Sequence, residues 1–135
     1  MNHVITQCIL EKWQNKWTYS IHGQFYRKIE PKVSSQIKYS HPSRAKEVTM
    51  SRLRYGKCRL NDYLHNMKAI DSEKCSECSV ATETVEHFIL DCPNSELCKM
   101  VRATCKSLSI EPKIETALSH ESLVDKIYRN IKRKL

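Results

Sequence analysis

The sequence predicts a mostly α-helical, small domain stapled by a zinc-binding Cys2HisCys knuckle, and three observations lead there. Apolar residues recur at three- and four-residue steps over several stretches, while no stretch shows a strand pattern of comparable quality. Cys75-Ser-Glu-Cys78 is followed by eight residues to His87 and four more to Cys92. A chain of 135 residues with much polar sequence and two glycines would gain from a metal staple.

From the N-terminus, Ile5, Ile9, Leu10, Trp13 and Trp17 fall at helical spacing and predict an amphipathic helix. Its indoles are expected in the core rather than stacked on bases. Between Ser20 and His41 the pattern weakens, with Gly23, Pro31, Ser34, Ser35, Ser40 and Pro42 as punctuation. This reads as a linker with short extended pieces at Gln24–Tyr26 and Gln36–Tyr39. Pro42-Ser43 opens a helix that runs to about Tyr55 and stops at Gly56, a residue suited to the left-handed position past a helix end. Leu60, Tyr63, Leu64 and Met67 form the stripe of a short helix, which Asp71 and Ser72 break.

Thr82 or Thr84 caps the next helix, carrying Val85, His87, Phe88 and Leu90, and Pro93 stops it. Asn94 or Ser95 begins a longer helix with Leu97, Val101, Cys105 and Leu108 on one side. A short turn or helix after Pro112 precedes a terminal helix from Glu121, with Leu123, Val124, Ile127, Tyr128 and Ile131. The expected division is residues 1–41 as an N-terminal amphipathic helix and linker, and 42–135 as the helical zinc-binding domain.

Two thiols three positions apart can face one ion from a tight turn, and His87 and Cys92 can add two ligands from a helical turn and its end. Zinc takes four tetrahedral nitrogen and sulfur ligands at about 2.0–2.3 Å. Cys75, Cys78, His87 and Cys92 are therefore the expected ligands of one structural Zn²⁺. Four protein ligands leave no open position for the water of a catalytic zinc. A redox Cys-x-x-Cys would accompany a βαβ pattern, which is absent.

Seven cysteines are an odd number, which argues against a fully paired disulfide framework and for a reducing compartment. Cys8, Cys58, Cys98 and Cys105 are expected as small buried hydrophobes. No apolar run approaches the length of a membrane span, and the start lacks a charged head followed by an apolar core. The expected setting is intracellular, cytoplasmic or nuclear, with no membrane partner.

The formal charge is +8 and the pI about 9.2, a balance that favours polyanions such as RNA or DNA. The charge is uneven along the chain. Residues 1–70 hold 13 Lys and Arg against 4 acidic residues, a net +9, whereas 71–94 hold 1 against 6, a net −5. The knuckle is thus a poor phosphate-binding surface. The expected contacts are Arg44, Lys46, Arg52, Arg54, Lys57 and Arg59, joined by Lys126, Arg129, Lys132, Arg133 and Lys134, giving affinity with little sequence preference. The other reading of these charges is a solvated surface, with the module docking to a protein.

The run Arg52-Leu-Arg-Tyr-Gly-Lys-Cys-Arg-Leu-Asn-Asp-Tyr-Leu-His65, then the cysteine pair, then Glu83-Thr-Val-Glu-His-Phe-Ile-Leu-Asp-Cys-Pro93 resembles the C-terminal zinc-binding region of non-LTR retrotransposon polyproteins. That family carries Leu-Arg-x-Gly-x-x-x-Leu-Asn-x-Tyr-Leu before a Cys-Cys-His-Cys site ending in His-Phe-Leu-x-x-Cys-Pro. The resemblance spans roughly residues 10–100. Lys57 stands where a histidine often follows the glycine, and Ser79 where a glycine often follows the second cysteine. The family's polyproteins reverse-transcribe their RNA at a nicked DNA target. The carboxylates a reverse transcriptase or ribonuclease H needs around Mg²⁺ do not occur here as motifs. The resemblance therefore implies a detached, non-catalytic module without a small-molecule substrate, binding nucleic acid or docking to a polymerase or other protein.

Overall fold

The structure, a computed structural model, describes residues 3–34, 36 and 39–131. Among them the chain is helical, as its periodicity predicts: α1 (His3–Thr18), α2 (Gln24–Ile29), α3 (Arg44–Tyr55), α4 (Asn61–Asn66), α5 (Glu96–Ser107), α6 (Ile114–Ala117) and α7 (Glu121–Ile131). A π-helical turn, His87–Asp91, precedes α5. Extended pairing among the described residues is confined to one antiparallel bridge, Lys74 to Thr82.

The caps explain the boundaries of α3 and α5. Ser43 accepts a hydrogen bond from the Lys46 backbone N–H, and Ser95 from that of Cys98, each satisfying a donor the first helical turn leaves over. At the end of α3, Gly56 takes φ 70°. Its N–H donates to the Leu53 carbonyl while that of Lys57 reaches Arg52, the paired 5→2 and 6→1 bonds of a Schellman ending.

One core holds the molecule together. Met50 and Leu53 from α3, Ile89 and Leu90 from the π turn, Val101 and Cys105 from α5, and Leu123, Ile127 and Ile131 from α7 are buried in a single cluster. The stripe on α7 is as expected, with Tyr128 half-buried at its edge. Leu60 is buried, but Met67, at the other end of the α4 stripe, is 63 % exposed.

The segment after α1 departs from expectation. Gln24–Tyr26 belongs to helix α2 rather than to an extended piece, and α2 packs on α3 and α6, with Ile29 in the core and Phe25 against it. The packing therefore crosses the expected boundary at residue 41. Of the second extended piece, Gln36–Tyr39, residues 37 and 38 lie outside the described residues, as does Ser35.

Helix α1 forms where predicted, but none of its residues is buried. Trp13 is half exposed, which corrects its expected place in the core, and Ile5 and Ile9 are slightly more exposed. Trp17 is the better-held indole. It donates to the Glu30 carbonyl at 3.0 Å, lies edge-on to Tyr26, and carries the Arg27 guanidinium over its face. Gly23 beside it has φ 67°, and a Cβ there would meet two Trp17 ring carbons at 3.0 Å; no larger residue fits both demands.

Candidate metal centre

Two pieces of backbone build the site. Residues 73–83 fold back on themselves: the Cys75 N–H donates to the Ala81 carbonyl and that of Glu83 to the Glu73 carbonyl. Within this knuckle the Ser79 N–H returns to the Cys75 carbonyl, and Ser79 takes φ +58°. Such a left-handed residue is strained unless it is glycine, which gives the serine at that position its physical meaning.

The second piece is the π turn. Positions five apart on an α-helix lie about 140° around the axis, which would turn His87 and Cys92 away from each other. Instead the Cys92 N–H donates to the His87 carbonyl at 2.7 Å, and the wider i→i+5 winding carries both side chains back toward one side. Thr84 accepts from the His87 N–H at 3.1 Å and starts the turn, as its sequence position predicts.

The result is a four-atom cluster. One atom each from Cys75, Cys78, His87 and Cys92 lies within 4.8 Å of the others. Cys75 Sγ is 3.7 Å from Cys92 Sγ, and Cys78 Sγ is 3.4 Å from His87 Nε2. The edges of a tetrahedron around a metal with zinc-like bonds are about 3.8 Å between sulfurs and about 3.5 Å between sulfur and nitrogen. The residues present fit a four-coordinate ion, and the cluster could hold one.

The thiols differ in their surroundings. The backbone N–H groups of Ala81 and Val80 hold Cys78 down to about 6, whereas burial pushes Cys75 up to about 12. Cys78 is thus the thiol of the two that loses its proton more readily.

Residues that sequence spacing did not single out hold the knuckle in place. Glu83 is 1 % exposed, and its carboxylate accepts from the backbone N–H groups of Asn61 and Ser76 and from the Ser76 hydroxyl. Asn61 donates to the Lys74 carbonyl, and Asn94 to that of Glu77. The knuckle is therefore lashed to the start of α4 on one side and to the segment before α5 on the other. Arg102 on α5 donates through Nε to the Leu90 carbonyl and pairs with Asp91 at 3.4 Å, gripping the π turn. A glutamate among six acidic residues between 71 and 94 gives no sequence signal of being buried.

The remaining cysteines divide. Cys58, Cys98 and Cys105 are buried as expected, but Cys8 is exposed on α1, a correction that follows because nothing among the described residues buries any part of that helix. Cys98 and Cys105 share the inner face of α5, outside the four-atom cluster.

The six basic residues do not form one surface. Arg44, Arg52, Lys57 and Arg59 are exposed. Lys46 is bound to Asp125 of α7, with its side chain only 17 % exposed. Arg54 is 3 % exposed; its Nε donates to the Leu118 carbonyl and its guanidinium lies 3.8 Å from the centre of the Tyr39 ring. Arg54 is thus a core guanidinium rather than a phosphate contact, and Lys46 is already paired. Lys126 and Arg129 are exposed on α7, whereas Lys132, Arg133 and Lys134 lie outside the described residues.

Among the described residues no helix is long and apolar enough to cross a membrane. Set beside known protein families, curated proteins and solved structures, the chain matches none of them.

Proposed function

We propose that this chain is a non-catalytic structural-zinc module, derived from a retrotransposon-type protein, that contributes RNA or DNA binding through its basic flanks. The observation that carries the metal half is the convergence of Cys75, Cys78, His87 and Cys92 within 4.8 Å, with two edges, 3.7 and 3.4 Å, near those of a tetrahedral site. Three sulfurs and one imidazole nitrogen suit zinc among divalent ions, and four protein ligands leave no position for a reacting water. When bound, the ion supplies cross-linking rather than chemistry. Reduced thiolate ligands fit a cytoplasmic or nuclear setting. The ordered pair of motifs from Arg52 to Pro93 supports the origin.

The nucleic-acid half is supported by the exposed Arg44, Arg52, Lys57 and Arg59, which have no ion-pair partner among the described residues. The knuckle exposes Asp71, Glu77 and Asp91, so the phosphate backbone lies away from the metal. The test is a triple charge reversal, Arg52→Glu, Lys57→Glu and Arg59→Glu. Electrophoretic binding to RNA and DNA should fall at least tenfold at low salt, while bound zinc and helix content stay constant. Unchanged binding contradicts the surface. A second reading, docking to a protein, is favoured by the exposed Val4, Ile5, Ile9 and Trp13 on α1; absence of nucleic-acid binding at low salt would support it.

A further inference from the structure

Beside the exposed end of α3 lie two adjoining depressions that the zinc site does not use. The first, about 610 Å³, is walled by Trp13, Trp17, Tyr26, Tyr39 and Tyr55. The second, about 580 Å³, is bordered by Arg52, Lys57, His41 and Glu47; the two exposed cations outnumber the Glu47 carboxylate, which accepts from the His41 N–H. Tyr39, Ser51, Arg54 and Tyr55 form a ridge common to both. Both volumes lie in the range of small-ligand sites. We propose that together they hold one unpaired nucleotide of a single strand, with its base in the aromatic depression and a flanking phosphate in the basic one. The proposal deepens, and rests on, the reading of this chain as a nucleic-acid binder.

The aromatic wall is ordered. Tyr26 lies edge-on to Trp17, with ring centres 5.9 Å apart, and 4.8 Å from Tyr55 at a 34° tilt. Trp13 and Tyr55 keep 50 % and 56 % of their surface open, although large rings at a concave surface would ordinarily be covered. A base offers a flat face to such rings whatever its identity, so stacking is tolerant of sequence.

The charge of the surroundings selects among flat ligands. Lys32 and Arg54 line the aromatic depression, so a cationic ligand would meet like charge there. The Glu30 carboxylate on the same wall accepts from the Tyr39 hydroxyl at 2.9 Å, which ties it into the wall. Arg52 and Lys57, one ridge away, supply exposed positive charge where the phosphate would lie. A duplex hides its base faces in its own stack and can offer only phosphates; a single strand can fill both depressions.

The zinc-loaded full chain is titrated with oligothymidylate, the matching duplex and a mononucleotide, reading indole fluorescence and the anisotropy of labelled strand. The single strand should bind about tenfold tighter than the duplex and quench the indoles. Trp13→Ala and Tyr55→Ala, both at exposed positions, should each weaken the single strand about tenfold and leave the duplex unchanged. Circular dichroism shows that each variant stays folded. Equal affinity for single strand and duplex, or no loss in either variant, overturns this site while leaving phosphate binding by the basic flanks intact. A mononucleotide binding as tightly as the strand overturns the strand as the ligand. No binding of any nucleic acid at low salt removes the underlying reading as well.

Discussion

Glu83 carries more of the knuckle than its place in an acidic segment suggests. Its buried carboxylate answers three donors from Asn61 and Ser76, so removing it takes away the one group on which they converge. Glu83→Ala should cost about 3 kcal/mol in chemical denaturation, with zinc binding weakened in step. Thiol chemistry gives a second residue-level prediction. Burial pushes Cys58 up to about 11 and also raises Cys98 and Cys105, while Cys8 stands in solvent. At neutral pH the metal-loaded chain should therefore label rapidly at Cys8, and a chelator should add Cys78 ahead of the buried Cys75 and Cys92. Mass spectrometry of labelled peptides checks both statements. The four clustered residues are legible in the sequence because a metal site would dictate spacing and residue type together. The burial of Arg54 and Glu83 is not, since it depends on carbonyls and amides brought from distant segments, such as Leu118 on Arg54.

At the level of elements, length decides what periodicity can reveal. The apolar stripe of α7 spans three turns and predicts its buried residues. Ile127→Ala should leave a cavity in the shared core and cost about 2–5 kcal/mol, read as a lower denaturation midpoint with an unchanged slope. Helix α2 has six residues, too few to show a period and too few to persist without tertiary support. It forms because Ile29 and Phe25 are held by the core. Helix α1 fails in the opposite way: its stripe is long enough to read, but a stripe does not say what covers it, and among the described residues the core stops short of Ile5, Ile9 and Trp13. The π turn is invisible to a 3.6-residue pattern, because only its i→i+5 bond between Cys92 and His87 distinguishes it from the predicted helical turn.

Across the whole molecule, charge and covalent reach are separated. The basic excess falls in residues 1–70 and the acidic excess in 71–94. The knuckle, which lies in the acidic stretch, ties the start of α4 to the segment before α5 through Asn61, Glu83 and Asn94. An ion at the centre of those ties would fix the π turn, whose Phe88, Ile89 and Leu90 enter the shared core, so metal binding and folding free energy should be coupled. The proposal of a structural zinc stands or falls on metal content measured by atomic emission on the purified chain and on Cys78→Ser, with thermal melts of both. The account predicts one zinc per chain, lost in the variant together with a large fall in melting temperature. A Cys78→Ser protein that keeps one zinc, or a metal-free chain that melts as cooperatively and as high as the loaded one, would contradict it.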